Sequence, residues 1–271
     1  SDLSYRDLDL LNPKDENEMK REWSSNFLVP PENLDGYSLT CAITGKKYTF
    51  ENQAELKRFK YNRYIRKYVQ TVHSIDENVG RLLDWLDEKG LSENTIVMYT
   101  SDQGFYLGEH GWYDKRFIYE ESFQMPFLIR YPKEISPGSV CKDMVSNVDF
   151  APSFLDYAET TIPNYMQGRS TREVFKGSAP SNWTDLAYHR YWMNNDGIHH
   201  ARAHYGIRTH DYKIVYWYND DLNQPGARPD TLKPEWELFD LNKDPLEINN
   251  VYNDPTYTEV VSSMTQKLED E

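Results

Sequence analysis

The residues of this chain best suited to chemistry lie in one stretch, from Thr95 to Arg130. A short β-branched apolar run at 95–100 is typical of a buried strand, and it ends at Ser101-Asp102-Gln103-Gly104. A carboxylate and an amide therefore stand side by side just beyond a strand, where open α/β sheets bind ligands. Such oxygen donors suit a hard cation, calcium above all. A histidine, a lysine and an arginine between residues 110 and 116 add groups that can hold an anion.

Each part of this stretch also has an ordinary structural interpretation. An Asp-x-Gly after a strand is a common turn, Glu109-His110 can be a solvated loop pair, and an exposed Asp114-Lys115 ion pair contributes little. The complete string separates the two interpretations, because S-D-Q-G, G-E-H-G, D-K-R, Y-E-E-S and P-F-L-I-R follow one another in order. In this arrangement the stretch resembles the second signature region of the type I sulfatases, in the alkaline phosphatase superfamily.

The resemblance implies a role for several residues. Asp102 matches the family's calcium-ligand aspartate, Gln103 matches the neighbouring ligand position, and Lys115 matches the lysine that contacts the sulfate oxygens. Calcium and a lysine cation would offset the sulfate charge and stabilise the charge that develops at sulfur. The amide at 103 keeps the site oxygen-rich, which favours calcium over zinc. We expect His110 and Arg116 to fix the loop and not to react directly.

The chain departs from the family pattern at the nucleophile. The family uses a cysteine or serine in a C/S-x-P-x-R motif, converted to formylglycine, and neither Cys41, Cys141 nor any serine begins such a motif here. The family's early Asp-Asp calcium ligands are missing as well. We therefore expect the chain to be the C-terminal portion of a sulfatase, inactive alone, whose nucleophile and remaining calcium ligands lie in the N-terminal half of the same protein.

Composition restricts the classes of partner. The 271 residues carry a net charge of −14, which argues against nucleic-acid binding. A sulfated substrate would need a locally positive pocket. No apolar run approaches the roughly 18 residues that a membrane span requires. Two cysteines make no disulfide framework, and whether they pair is left open. The family resemblance alone implies a periplasmic or secreted location.

The predicted fold class is α/β, with an alkaline-phosphatase-like, mainly parallel sheet sandwiched by helices in residues 1–165. Apolar residues recur at helical spacing from Asn52 to Lys89, and Gly90 follows where a helix would end. Further predicted elements are a hairpin around Thr44-Gly45-Lys46, strands at 95–100 and 126–130, and a helix at 150–158 with Asp149 as its N-cap.

A small C-terminal subdomain, an antiparallel sheet with one helix, is predicted for residues 183–271, after a linker at 166–182. Strands are expected at 205–209, 213–218 and 236–240, and an amphipathic helix at 256–268. The segments YGIRTHDYKIV and ELFDLNKDPLE resemble the corresponding subdomain of sulfatases.

Two residues of this subdomain are further site candidates. A zinc site at His200 and His204 is disfavoured, because four extended residues would separate them by roughly 13 Å. His204 could instead bind substrate at the rim of the active site and protonate a sugar alkoxide, or it could be a hydrogen-bonded structural histidine. Arg208 could contact substrate or form an inter-domain ion pair.

The function predicted from these residues is hydrolysis of a sulfate ester on a sulfated carbohydrate of polysaccharide or glycosaminoglycan type. Two alternatives remain open. One is a phosphonate or phosphodiester hydrolase of the same superfamily, which uses a closely similar site. The other is a non-catalytic calcium- or glycan-binding remnant that never had the nucleophile half.

Overall fold

The computed structural model describes residues 34–41, 44–197 and 199–271. Its helices are α1 to α5, at Gln53–Glu88, Glu120–Phe123, Phe150–Tyr157, Arg172–Phe175 and Thr258–Glu269. Its strands are β1 to β10, at Ser38–Thr40, Lys47–Thr49, Val97–Thr100, Tyr106–Leu107, Tyr113–Asp114, Phe127–Arg130, Ala187–Tyr191, His204–Arg208, Tyr212–Trp217 and Glu235–Asp240.

The chain divides into two compact units, and each is described by itself. The first contains residues through Lys89, together with Phe105–Lys115 and Asp196–His200. The second contains Gly90–Gly104, Arg116–Asn195 and Ala201–Glu271. The predicted linker at 166–182 lies inside the second unit, where it includes α4 and is joined to α3 by a 2.7 Å hydrogen bond between Ser153 and Thr171. The boundary predicted there therefore stays a prediction.

The long helix α1 confirms the predicted one almost to the residue. Asn52 caps it by accepting a hydrogen bond from the backbone N–H of Glu55 at 3.0 Å, as expected for this residue type. Gly90 follows its C-cap with φ at +64°, a conformation that glycine adopts without steric cost. Leu56 of α1 packs with Leu39 of β1 in a small apolar cluster.

Two hairpins also belong to the first unit. Strands β1 and β2 pair antiparallel, with Leu39 opposite Tyr48, which confirms the hairpin predicted around residues 44–46. Strands β4 and β5, two residues each, pair with Tyr106 opposite Asp114 and close the loop that holds His110, and Lys115 directly follows β5. Residues 1–33, for which Pro13, Pro30 and Pro31 predict loops and short turns, lie outside the described residues.

In the second unit, β3 and β6 fall where strands were predicted, and they pair antiparallel with Val97 opposite Arg130. The pairings within the described residues are all antiparallel, so the parallel part of the predicted sheet is not among them. Helix α3 begins at Phe150 with Asp149 at its N-cap position, as predicted. The Asp149 carboxylate, however, accepts from Ser146 N–H in a capping box on the preceding turn and makes no cap hydrogen bond to α3.

The four-stranded sheet has the order β10-β9-β8-β7, with every neighbouring pair antiparallel. Because side chains alternate along each strand, Ile207, Ile214 and Leu238 lie on one face of the sheet. There they are buried and pack against Met264 and Leu268 of α5. The other face carries His204, Lys213 and Trp217. The predicted antiparallel sheet with one helix is thus present in the second unit.

Candidate active site

The Asp102-Gln103 turn continues directly from β3, which ends at Thr100. The Asp102 side chain is exposed and that of Gln103 is half-buried. Asp102 Oδ1 accepts hydrogen bonds from the Ser101 hydroxyl at 3.2 Å and from the Gln103 backbone N–H at 3.1 Å. These bonds orient an exposed carboxylate beside an amide, so the turn presents two oxygen-bearing side chains to solvent.

Gly104 anchors this turn to helix α2. Its backbone N–H donates to the Ser122 carbonyl at 2.8 Å. A Cβ at position 104 would overlap the backbone carbonyl oxygens of Glu121 and Gln124, so a glycine is required by close approach of two backbone segments. The Ser122 hydroxyl in turn accepts from the Arg116 backbone N–H at 3.1 Å. Helix α2 therefore sets the position of the turn.

The donor chemistry of this turn fits calcium in part. A carboxylate and an amide side chain are oxygen ligands of the kind calcium takes, and calcium requires six to eight of them. The described residues contain no group of three or more His, Cys, Asp or Glu residues that could hold a metal ion. Asp102 and Gln103 can therefore serve as two ligands of a larger set, which must include groups from elsewhere.

Lys115 lies in the first unit, directly after β5. Its Nζ is 2.9 Å from Oδ1 of Asp114, and its side chain remains 38% exposed whereas that of Asp114 is 10% exposed. Asp114 has φ at +75°, an uncommon conformation for a residue other than glycine. The neighbouring carboxylate thus directs the lysine while the ammonium stays accessible to an anion.

His110 packs within the loop of the first unit. Its ring stacks on Trp112, with centroids 5.6 Å apart, and meets the buried ring of Tyr106 edge-on at 6.1 Å. These contacts place the His110 ring among aromatic side chains of the loop, and its role in fixing the loop stays a prediction. Arg116 belongs to the second unit, where its backbone N–H donates to the Ser122 hydroxyl at 3.1 Å, and its predicted role stays a prediction.

The position of His204 argues against its predicted role at a substrate rim. The side chain has no exposed surface and lies 4.4 Å from the Trp217 ring, centroid to centroid, and 6.2 Å from that of Phe117. Its Nδ1 is 2.7 Å from the Arg202 carbonyl. Burial, with the nearby His189, lowers the pKa of His204 to about 3. A neutral, enclosed imidazole fits the structural interpretation, because it can neither reach a sugar nor carry a proton near neutral pH.

Arg208 combines features of both predicted roles. Its Nε is 3.3 Å from Oε1 of Glu120, and its Nη1 donates to the Thr209 carbonyl at 2.9 Å. It also lines a groove of about 680 Å³ in the second unit, together with Lys142 and His210. An ion pair with Glu120 is therefore present, and substrate contact stays a prediction.

Sequence reasoning missed the buried charges beside Glu120. Lys213 has no exposed surface, and Glu247 is 4% exposed. The sequence did indicate a buried Lys213 in part, because this lysine stands within the otherwise apolar and aromatic strand YKIVYW. Side chains alternate along a strand, so Lys213 lies on the same face as Trp217. Glu247, which follows a turn, gave no comparable signal.

Two family models match the chain. One, described as "N-sulphoglucosamine sulphohydrolase, C-terminal", covers residues 108–271, and the other, described as "Sulfatase", covers residues 30–160. These matches, with the strand β3 and the turn that follows it, define an α/β chain of alkaline-phosphatase-like fold. The chain belongs to the sulfatase family.

Known proteins of this family resemble the chain over most of its length. It is 44% identical over 214 residues to an N-acetylglucosamine-6-O-sulfatase of Bacteroides thetaiotaomicron, which covers 78% of this chain and 36% of the relative. A solved structure of a protein with its substrate D-glucosamine-2-N,6-O-disulfate is 42% identical, with a TM-score of 0.73 over 81% of this chain and 42% of that one.

A phosphonate monoester hydrolase of Silicibacter pomeroyi superimposes with a TM-score of 0.61 at 23% identity, covering 82% of this chain and 42% of that one. This similarity is one of fold alone. The solved structures confirm the predicted fold class. The chain spans less than half the length of the curated relatives it matches.

Proposed function

We propose that this chain is the C-terminal part of a sulfuric ester hydrolase that removes sulfate from a sulfated carbohydrate. The observation that carries the proposal is the Asp102-Gln103 turn beyond β3, held on α2 through Gly104, in a chain of the sulfatase family. An exposed carboxylate and amide at the end of a strand are suited to a cation that receives an anionic ester.

In this proposal Asp102 and Gln103 supply two of the oxygen ligands of a calcium ion, and the N-terminal half of the protein supplies the others together with the formylglycine nucleophile. Bound calcium would neutralise charge on the sulfate oxygens. The half-exposed ammonium of Lys115, directed by Asp114 at 2.9 Å, donates hydrogen bonds to those oxygens and stabilises the charge that grows on them. His110 keeps the loop of Lys115 in place through its ring contacts.

A sulfated amino sugar is the substrate class that the relatives favour. The 44% identical relative is an N-acetylglucosamine-6-O-sulfatase, and the 42% identical structure contains a glucosamine sulfated at nitrogen and at O6. We propose that the protein acts on a 6-O-sulfated glucosamine unit, outside the cytoplasm as the family resemblance implies. Among the described residues, no helix has both the length and the hydropathy needed to cross a membrane.

The test uses the full-length protein that contains this chain. We expect calcium-dependent release of sulfate from 6-O-sulfated N-acetylglucosamine, and a loss of about a hundredfold or more in kcat/KM on substituting Asp102→Ala or Lys115→Ala. Asp84→Ala and Lys89→Ala, at exposed positions at the end of α1, are matched controls that should keep the activity. Sulfate release is measured by ion chromatography over a range of substrate concentrations.

Substrate comparison separates this proposal from its rivals. Faster turnover of a phosphonate monoester or phosphodiester than of the sulfate ester would assign the protein to that chemistry instead. An intact protein that binds the sulfated sugar without releasing sulfate would support a binding role. Undiminished activity in either Asp102→Ala or Lys115→Ala would remove that residue from the site.

A further inference from the structure

A fully buried lysine joins the four-stranded sheet to the segment before α2. Nζ of Lys213, in β9, donates to the Ile118 carbonyl at 2.8 Å and lies 2.7 Å from Oε1 of Glu120 and 2.7 Å from Oε1 of Glu247. The ammonium thus makes one hydrogen bond to a backbone carbonyl and lies within ion-pair distance of two carboxylate oxygens. All four residues belong to the second unit.

Arg208 also belongs to this cluster. Arg208, with Nε 3.3 Å from Oε1 of Glu120, adds a second cation to Lys213, so two cations face two carboxylates. Burial opposes ionisation of Glu120, yet Lys213 and Arg208 outweigh it and hold the pKa of Glu120 below its ordinary value. For Glu247 burial prevails over Lys213 and raises the pKa. Glu120 is therefore firmly anionic near neutral pH, and Lys213 is its principal partner.

The same cluster fixes the start of α2. Glu120 is the first residue of that helix, and its backbone N–H donates to Oε2 of Glu247 at 2.7 Å. Two residues further on, the Ser122 carbonyl accepts the Gly104 N–H at 2.8 Å. A continuous path of short bonds thus runs from Lys213 through α2 to the Asp102-Gln103 turn, with no room between Gly104 and α2 for adjustment.

We infer that Lys213 is a positioning residue for the candidate calcium turn. It touches neither substrate nor ion; it holds α2 from the sheet side, and α2 in turn holds Gly104 and the two ligands that precede it. The inference rests on the proposed function, because it assigns Lys213 a purpose at the same site. Groups that orient metal ligands change metal affinity by about tenfold to a hundredfold when they are removed.

A purely structural role makes a different prediction. Removing one partner of a buried ion pair leaves the other charge uncompensated and destabilises the fold, so a loss of stability in Lys213→Met does not by itself identify a positioning residue. Calcium affinity does, because it depends on the placement of Asp102 and Gln103. The measurement must therefore compare Lys213→Met with a variant that weakens the same sheet on its other face, and Met264→Ala is that control.

The experiment measures calcium binding to the full-length protein by isothermal titration calorimetry, and kcat and KM at saturating calcium. We expect the calcium Kd of Lys213→Met to rise at least about tenfold and its kcat to fall more than its KM changes. Met264→Ala should lose thermal stability and keep the wild-type calcium Kd. Glu247→Gln retains an oxygen for the Glu120 N–H while removing a charge, so it should fold and show a smaller rise in the calcium Kd.

The inference is overturned if folded Lys213→Met and Glu247→Gln both bind calcium as the wild type does. It is also overturned if Met264→Ala loses calcium affinity to the same extent, because a general weakening of the sheet would then explain the effect. Its failure differs from that of the proposed function. A wild-type protein that binds calcium but releases no sulfate contradicts the proposed reaction and leaves the calcium comparison between variants fully interpretable.

Discussion

At the scale of single residues, the loop of the candidate site holds an unusual concentration of left-handed backbone. His110, Asp114 and Arg116 have φ at +53°, +75° and +110°, and none is glycine. Each such conformation costs of the order of 1 kcal/mol or more, and it persists only where surrounding contacts enforce it. Two of the three flank Lys115 directly. The strain therefore agrees with a site where the direction of one ammonium group matters more than local stability.

Gly104→Ala is the residue-scale prediction. The added methyl group would overlap the carbonyl oxygens of Glu121 and Gln124, so we expect loss of several kcal/mol of stability and of nearly all activity, because α2 and the turn must separate. Gly80→Ala is the control, since its position in α1 is open and alanine is favoured there by about 1 kcal/mol. Chemical denaturation of both variants checks this. A Gly104→Ala variant as stable as the wild type would contradict the close approach of Gly104 to the backbone of α2.

At the scale of elements, the periodicity of apolar residues predicted those helices and strands that are encoded by local sequence. The helix α1, strands β3 and β6, the β8–β9 hairpin and α5 all follow from spacing and end signals that lie within each segment. The two-residue pairs β4 and β5 and the helix α4 were not predicted, because such short elements exist through contacts made after folding. The anchoring of the Asp102-Gln103 turn was also beyond the sequence, since Ser122 accepts the Gly104 N–H only through backbone geometry. The Asp114–Lys115 ion pair, in contrast, was visible in the sequence as a possible surface pair.

The sheet contains a second buried feature, a pair of neutral histidines. The rings of His189 and His204 lie 5.4 Å apart, and they face Phe117, Phe123, Tyr191 and Trp217. The charged group that acts on His189 is Lys213. Burial lowers the pKa of His189 to about 4 and, with His189 nearby, that of His204 to about 3. Neither ring is protonated in the folded protein at mildly acidic pH.

These histidines predict acid sensitivity. Because their folded pKa values lie below the ordinary value of about 6.5, the unfolded state takes up protons first, and stability present above about pH 6.5 is lost as the pH falls toward 4. Each histidine should contribute a loss of about 2 kcal/mol between pH 7.5 and pH 5. In His204→Phe the loss of stability between pH 7.5 and pH 5 should be about half that of the wild type. Urea denaturation at both pH values measures it. An equal loss in both proteins would exclude His204 as a source, and exposed His210→Ala serves as the control.

At the scale of the whole molecule, the sequence specified the family and fold class more fully than the site. The stretch from S-D-Q-G to P-F-L-I-R is long and contains the family's motifs in order, so it was sufficient to predict the sulfatase family. The family models confirm that prediction. The identity of the substrate sugar could not be predicted from the sequence, because sugar recognition depends on side chains from segments that are distant along the chain.

The enclosure of Lys213 also makes it a chemical reporter. An amine-reactive acylating reagent modifies only an ammonium that can lose its proton and meet solvent, and the Lys213 side chain is 0% exposed whereas that of Lys243 is 73% exposed. We expect mass spectrometry of the treated protein to find Lys243 acylated within minutes and Lys213 unmodified until the sheet opens from the segment around Ile118. The acylation rate of Lys213 would then measure how often this part of the molecule opens; equal rates at the two lysines would contradict its burial.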